Sequence, residues 1–164
     1  MARKVFFSFH YKRDGVRAGQ VRNSNVVINH TIETSSFIDA AEWESVKEKG
    51  EQAIRNWITD QLHGTSVTVV LIGAETSKRN WIKYEIDESL KRGNGLLAIY
   101  IHNCRDFAGN TDSKGINPLD NLTVTRNGVS QKLSEIYKTY DWINDDGRTN
   151  LGSWVEAAAT QAGK

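Results

Sequence analysis

A glutamate and the aromatic residues around it are the part of this sequence best suited to chemistry. Glu85 follows Trp81 by four positions. Ile82, Ile86 and Leu90 repeat at helical spacing through the same segment, which predicts an amphipathic helix with Glu85 beside its buried stripe. A carboxylate at the edge of a core can stabilise a developing positive charge, and nearby rings can stack on a flat heterocycle. The alternative is an ordinary helix with a solvated boundary glutamate.

Other polar and aromatic residues follow the ends of two predicted strands. His10 and Tyr11 come after the first strand, while Asp39 and Trp43 come at or after the second. The carboxyl ends of parallel strands share one edge of a sheet, and open α/β sheets bind ligands in the crevice outside that edge. The sequence therefore predicts a crevice there, completed by Trp81 and Glu85. Each residue also has a structural alternative, such as a turn for Asp39 or core packing for Trp81.

The elements that must position these residues alternate along the chain. Apolar runs predict strands, at 4–9, 36–39, 67–72 and 96–101, with a fifth within 136–142. Helical spacing predicts helices, at 51–63, 79–92 and 150–162, and 40–45 is expected to be a loop or a single turn. This alternation indicates a three-layer α/β domain of flavodoxin-like type, with a central parallel sheet and one domain over 1–164.

Composition excludes several classes of function. The 164 residues are 38% hydrophobic and 25% charged with a net charge of +1, so neither a nucleic-acid nor a membrane partner is expected. Cys104 is the single cysteine, which excludes an internal disulfide and fits a reducing cytoplasm. The four histidines have no metal-ligand spacing, and no metal site is expected.

The common phosphate and nucleophile motifs are missing from the sequence. There is no G-x-x-x-x-G-K-[ST] loop, no G-x-G-x-x-G after the first strand and no G-x-S-x-G elbow. A phosphorylated receiver domain would need acids at the ends of the first and third strands, where the chain has Ser8 to His10 and Ile72 to Ala74.

Three segments, in order, resemble the TIR domain: FFSFHYKRD, SSFIDAAEWESVKEKGEQAIRNWI and SVTVVLIGAETSKRNWIKYEIDESL. The last contains a strand that leads through Ser-x-x-Trp into Trp-x-x-x-Glu. The opening FFSFHY, the WIKYE segment and the late YDWINDDG and SWV resemble the TIR-like proteins of bacterial Thoeris anti-phage systems. The general TIR resemblance covers about 4–101, and the Thoeris-like features extend it to about 155.

The resemblance implies an enzyme that cleaves NAD⁺ as its substrate, with no further cofactor, and that makes a cyclic or modified ADP-ribose. That nucleotide would activate a partner effector, and TIR–TIR contacts would give a homo-oligomer. The TIR catalytic glutamate falls on Glu85. Ser8, His10 and Tyr11 lie where the substrate is expected to pass, with Asp39, Trp43 and Trp81 as further binding candidates, and Lys12 and Arg13 as candidate contacts to the pyrophosphate.

Two other functions stay open at this point. A nucleoside deoxyribosyltransferase is also flavodoxin-like and glutamate-dependent, and a TIR adaptor would only assemble with other TIR domains. Glu85 argues against the adaptor, which does not need it. TIR domains usually carry Pro-Gly after the second strand, where this chain has Lys49-Gly50. The polar stretch 103–131 is expected to be a long loop near the crevice, able to act as a lid.

Overall fold

A five-stranded parallel sheet forms the centre of the molecule, and the computed structural model describes residues 3–24, 32–34 and 40–164. The strands of this sheet are β1 (Arg3–Ser8), β2 (Ile32–Thr34), β3 (Val67–Ile72), β4 (Gly95–Tyr100) and β7 (Thr139–Asp141). Their order is β2-β1-β3-β4-β7, with every neighbouring pair parallel. This is the flavodoxin-like order, and the predicted α/β fold class is confirmed.

The central strand β3 is buried along its whole length because helices cover both faces of the sheet. It pairs with β1 in a register that sets Phe7 beside Val69, and with β4 in a register that sets Leu71 beside Ile99. β-Branched and aromatic residues dominate these strands, which is why the sequence predicted them well.

The described residues contain six helices: α1 (Gly15–Arg22), α2 (Ala40–Glu48), α3 (Glu51–Leu62), α4 (Ile82–Lys91), α5 (Leu133–Ile136) and α6 (Gly147–Gln161). α6 contacts β3 and β4, on the face that carries Gly95. A Cβ at Gly95 would collide with the backbone of Ala158, so glycine lets the helix approach closely. α4 covers the opposite face, where Ile86 packs with Val70 and Leu96.

Two predicted segments lie in the first third of the chain. The strand predicted at 36–39 lies outside the described residues, and the strand that pairs with β1 is β2, at Ile32–Thr34. The loop expected at 40–45 is wrong, because α2 begins at residue 40. Trp43 is buried on this helix while most of its neighbours are exposed, so no apolar stripe marked it in the sequence.

The stretch 103–131 is more ordered than a long loop. It contains a 3₁₀ turn (Pro118–Asp120) and an antiparallel hairpin of β5 (Thr123–Arg126) and β6 (Val129–Lys132). Asn127 and Gly128 form its turn with φ of 53° and 77°, the left-handed pair that a two-residue hairpin requires. Among the described helices, none is long and apolar enough to cross a membrane.

Candidate active site

Glu85 is fully buried rather than set at the edge of the core as the spacing predicted. It lies in the first turn of α4, on the same stripe as Ser89. Ser89 Oγ donates to the Glu85 carbonyl oxygen at 2.7 Å and is 2.7 Å from Thr68 Oγ1 on β3. Since α4 runs antiparallel to β3, one helical turn back from Ser89 corresponds to two residues along the strand. Glu85 therefore lies at the level of Val70.

Ser8 lies on the same face of the sheet as Glu85. It is the last residue of β1 and pairs with Val70, whose side chain packs with the apolar residues of α4. The side chain of Ser8 is completely buried. The register thus brings the end of the first strand to the side of the sheet that carries the glutamate.

Arg79 forms a buried ion pair with Glu85. Its side chain is 7% exposed, and its guanidinium lies over the ring of Tyr11 at 4.4 Å and over that of Trp43 at 5.2 Å. Burial lowers the pKa of Arg79, but the Glu85 carboxylate and Tyr11 outweigh that effect and the net direction is upward. Arg79 therefore stays charged, and it separates Glu85 from the aromatic rings.

The buried polar atoms here lack directed hydrogen bonds. Ser8 Oγ, the Tyr11 hydroxyl, the three guanidinium nitrogens of Arg79 and both carboxylate oxygens of Glu85 find no such partner among the described residues. The Arg79–Glu85 contact is close in distance but poor in angle, so it is a charge contact. Native proteins leave few buried polar groups unsatisfied, so several together make this a candidate site for binding or catalysis.

An aromatic cluster forms the wall beside this pair. Tyr11 contacts Trp43 at 4.9 Å and Trp57 at 5.9 Å between ring centroids, and the two tryptophans lie 5.6 Å apart. Burial and the nearby Glu85 charge raise the pKa of the Tyr11 hydroxyl, while Arg79 opposes them, so Tyr11 stays neutral. Trp57 packs against the core, and Trp43 packs there as well as lining the cleft described next.

A cleft of about 260 Å³ opens in front of Arg79. It is lined by aromatic, basic and amide side chains and one acid, namely His10, Tyr11, Lys12, Trp43, Glu44, Lys47, Lys78, Arg79, Asn80 and Trp81. Lys47 pairs with Glu44 at 2.8 Å, which leaves an excess of positive charge. The cleft is therefore suited to a ligand with rings and anionic groups.

His10 lies at the mouth of the cleft and is held as a neutral ring. Burial and the Arg79 charge lower its pKa, in that order of size. Its Nδ1 accepts the backbone N–H of Arg13 at 3.1 Å, which puts the proton of the neutral ring on Nε2. His10 can therefore donate one hydrogen bond into the cleft from Nε2.

The structure brings together most of the predicted site residues. His10, Tyr11, Trp43 and Trp81 line the cleft, whereas Ser8 and Glu85 are buried and do not line it. Asp39 lies outside the described residues. Of the two cations considered for a pyrophosphate, Lys12 lines the cleft, but Arg13 is paired with Asp112 at 2.9 Å and with Glu75 at 3.3 Å.

Sequence reasoning missed Arg79 and two cleft lysines. Arg79 stands six residues before Glu85, just after the 3₁₀ turn Thr76–Lys78. The adjacent Lys78 and Arg79 in a turn that leads into the predicted helix were a usable signal. Lys47 lay on a helix that was not predicted, so nothing placed it near the cleft.

A second buried arginine, Arg17, is bound differently. Arg17 Nε donates to the Cys104 carbonyl oxygen at 2.9 Å, and one of its terminal nitrogens donates to the Asn110 carbonyl oxygen at 3.0 Å. Asp112 lies 3.7 Å away. We call Arg17 with Asp14 and Asp112 the rim cluster. Across the described part of the chain, no group of three or more metal-ligating side chains occurs.

The stretch 103–131 does not form a lid over the cleft in this structure. None of its residues lines the cleft. Asp112 holds it to Arg13 at the carboxyl edge of the sheet, while Val124 and Arg126 of the hairpin line a different pocket, beside Gly93 and Asn94. Gly93 and Asn94 directly precede β4, so the hairpin lies at the amino ends of the strands, whereas the cleft lies at their carboxyl ends.

The fold and the site define an α/β protein of the flavodoxin-like, TIR-like class, with a buried glutamate behind an aromatic and basic cleft. The chain belongs to the Thoeris ThsB family: the model described as "Thoeris protein ThsB, TIR-like domain" matches residues 6–106. A relative from Bacillus cereus (strain MSX-D12), named "Putative cyclic ADP-D-ribose synthase ThsB1", is 34% identical, and the match covers 94% of this chain and 100% of the relative. The predicted resemblance is confirmed.

Proposed function

We propose that this chain cleaves NAD⁺, releases nicotinamide and makes a cyclic or otherwise modified ADP-ribose that activates a defence effector against phage. The observation that carries the proposal is Glu85, a buried carboxylate with no directed hydrogen bond among the described residues, behind a cleft of rings and cations. Family membership and the name of the Bacillus cereus relative support the choice of NAD⁺.

The proposed chemistry needs only one carboxylate. The bond between the ribose C1′ and the nicotinamide nitrogen breaks with its electron pair going to that nitrogen, so nicotinamide leaves as a neutral molecule. The ribose becomes oxocarbenium-like, and the Glu85 carboxylate stabilises its positive charge and accepts hydrogen bonds from its hydroxyls. No acid has to protonate the leaving group, unlike in the hydrolysis of an O-glycoside.

The cleft supplies binding groups for the rest of the dinucleotide. Trp43 and Trp81 offer ring faces for a base, and Lys12, Lys47 and Lys78 offer cations for the pyrophosphate. Because His10 is neutral, it can donate to a phosphate or ribose oxygen without adding charge beside the developing cation. Asp39 stays a prediction as a binding residue.

Capture of the ribosyl cation decides the product. Water gives linear ADP-ribose, whereas the adenine or a hydroxyl of the same molecule gives a cyclic product after losing a proton. Glu85 has no exposed surface, and a site closed to water favours the second outcome. Activity in the isolated chain is expected to be low until self-association or a phage-derived trigger changes the site.

Mass spectrometry of the small molecules tests the proposal. The purified chain is incubated with NAD⁺, and extracts of cells expressing it are compared before and after phage infection, with Glu85→Gln as the control. We expect nicotinamide and a product equal in mass to NAD⁺ less nicotinamide, or a conjugate of it, in excess of linear ADP-ribose.

Each other outcome selects a different function. Linear ADP-ribose alone would mean an enzyme that depletes NAD⁺ rather than one that signals. Cleavage of deoxyinosine instead of NAD⁺ would mean a deoxyribosyltransferase. An adaptor would process neither compound, and Glu85→Gln would then have no effect on the cell's nucleotides.

A further inference from the structure

We infer that Arg79 is the specificity-determining residue of this site: it covers Glu85 in the free chain and is drawn off it by the pyrophosphate of the substrate. The inference rests on the proposed function and deepens it. It explains how a carboxylate with no exposed surface meets a ribose, and why the substrate must carry a pyrophosphate.

Arg79 connects the cleft with the buried carboxylate. Its side chain lines the cleft and makes the ion pair with Glu85, while Glu85 lines no part of the cleft. Tyr11 and Trp43 close the space around the guanidinium, at 4.4 Å and 5.2 Å. A ribose entering the cleft therefore meets Arg79 before it can reach Glu85, so the arginine has to move.

The contacts of Arg79 allow such movement. None of its guanidinium nitrogens makes a hydrogen bond of good geometry within the described part of the chain. What holds Arg79 is the charge contact with Glu85, a polar contact with the Tyr11 hydroxyl and the faces of two rings. Arg17 is equally buried but donates to two backbone carbonyl oxygens, which do not leave. Arg79 also precedes α4 in an extended conformation with φ −70° and ψ 128°, so its side chain can turn without moving the helix.

The cleft provides a second position for the same guanidinium. Lys12 and Lys78 line it, together with the Lys47–Glu44 pair, so an anionic group is attracted there. A pyrophosphate with two negative charges can replace Glu85 as the partner of Arg79 through charge-assisted hydrogen bonds. Glu85 is then left without its cation, facing the ribose on which positive charge develops. A nicotinamide compound without a pyrophosphate cannot drive this exchange.

Two substrates separate this role from a structural one. Nicotinamide release is measured for NAD⁺ and for nicotinamide riboside, which has the same scissile bond and no phosphate. Arg79→Met removes the charge but keeps an aliphatic chain to pack on the rings. We expect kcat/KM for NAD⁺ to fall by roughly 10- to 100-fold, mainly through KM, from the loss of a charged hydrogen bond. For the riboside, kcat/KM should rise above that of the wild type.

Two control variants test whether the opposite effects on NAD⁺ and on nicotinamide riboside are specific to Arg79. Arg79→Lys keeps the charge without the planar fork and should recover part of the NAD⁺ activity. Lys83→Ala lies on the same helix, where Lys83 pairs with the surface residue Asp87 at 3.0 Å, and should change neither substrate. A parallel loss on both substrates in a folded Arg79→Met protein would overturn the inference.

A binding measurement by NMR, which needs no turnover, tests the movement of Arg79 if Arg79→Met does not fold or if the wild type releases no nicotinamide. The NMR signal of the Arg79 Nε–H group, assigned by its absence from Arg79→Lys, is followed in the wild type. We expect it to shift on addition of ADP-ribose and not of ribose alone. An unchanged signal at saturating ADP-ribose, with shifts elsewhere in the cleft, would refute the movement of Arg79. A shift without turnover, both in the isolated chain and in cells after phage infection, would refute the proposed function alone.

Discussion

Two arginines of this molecule are buried to the same degree and are held in opposite ways. Arg17 and Arg79 each have side chains 7% exposed. The guanidinium of Arg17 donates hydrogen bonds to backbone carbonyl oxygens, whose positions the fold fixes. The guanidinium of Arg79 contacts a carboxylate and two aromatic rings and makes no directed hydrogen bond to a described residue. Equal burial therefore does not by itself assign a role to a cation, and the role proposed for Arg79 rests on the nature of its partners.

The largest expected effect is that of Glu85→Gln on catalysis. We expect nicotinamide release to fall by about 1000-fold or more, because the stabilising charge is lost and the shape is kept. Because Glu85 is fully buried and paired, a loss of roughly 1–3 kcal/mol in unfolding free energy is expected as well.

Glu88→Gln is the matched control for that variant. Glu88 lies on the same helix, but its partner is Lys91 at 3.2 Å, near the surface. Its unfolding free energy should change by less than about 0.5 kcal/mol, and its activity should not change. Equal activity of the two variants would remove Glu85 from catalysis, and a collapsed thermal transition in Glu85→Gln alone would make its role structural.

Arg17→Met should have the next largest effect, on stability rather than on substrate preference. It leaves the buried carbonyl oxygen of Cys104 without its donor, takes one of two donors from the Asn110 carbonyl oxygen and removes a cation from the rim cluster. The expected cost is roughly 3–5 kcal/mol in unfolding free energy, measured by urea denaturation. The ratio of NAD⁺ to riboside cleavage by the folded fraction should stay at the wild-type value. A changed ratio would break the distinction between the two arginines.

The smallest effect concerns pH and Asp14, which is fully buried in the rim cluster. Burial raises its pKa to about 6 from an ordinary value of 3.8, with Arg17 opposing and Asp112 adding to the rise. The folded state therefore binds this proton more tightly than the unfolded state. The contribution of Asp14 to wild-type stability therefore falls as the pH rises from about 4 to about 6, by up to ~3 kcal/mol, and stays lower above that range.

Asp14→Asn does not titrate, so its stability advantage over the wild type should grow between pH 4 and pH 6 and be constant above pH 7. Arg13 lowers the pKa of Asp112 to about 2, so Asp112 stabilises the fold above about pH 4 and loses that effect below it. Both proteins contain Asp112, and its contribution cancels in the difference. Urea denaturation at pH 4.5 and 7.5 measures the advantage, and an equal value at the two pHs would contradict the assignment.

The sequence predicted the parts of the fold that local patterns determine. The runs 67–72 and 96–101 are strands within one residue of the observed bounds, and the spacing of Ile54, Ile58 and Leu62 gave α3. α2 was missed because one buried tryptophan on a polar helix makes no periodic stripe. The hairpin was missed although Asn127-Gly128 is a strong turn signal on its own.

The site was predictable to the extent that strand ends and one helix stripe define it. His10, Tyr11 and Glu85 follow from position alone, because parallel strands bring their carboxyl ends together. The partnership of Arg79 with Glu85, Tyr11 and Trp43 does not, since it depends on how a turn, a loop and two helices meet. The position of the stretch 103–131 depends on tertiary contacts too, so residue spacing could not show whether it covers the cleft. The hairpin in this stretch lies at the end of the sheet away from the cleft.

The unsatisfied pair of Arg79 and Glu85 also has an evolutionary consequence. Replacing a buried ion pair with apolar residues of similar volume is often neutral or stabilising. Selection for folding alone would therefore allow mutations such as Arg79→Met together with Glu85→Leu to accumulate. A lineage in which the site is no longer used should lose the charges at these two positions while keeping the sheet and its helices. Retention of both charges in a descendant would be a record of continued use.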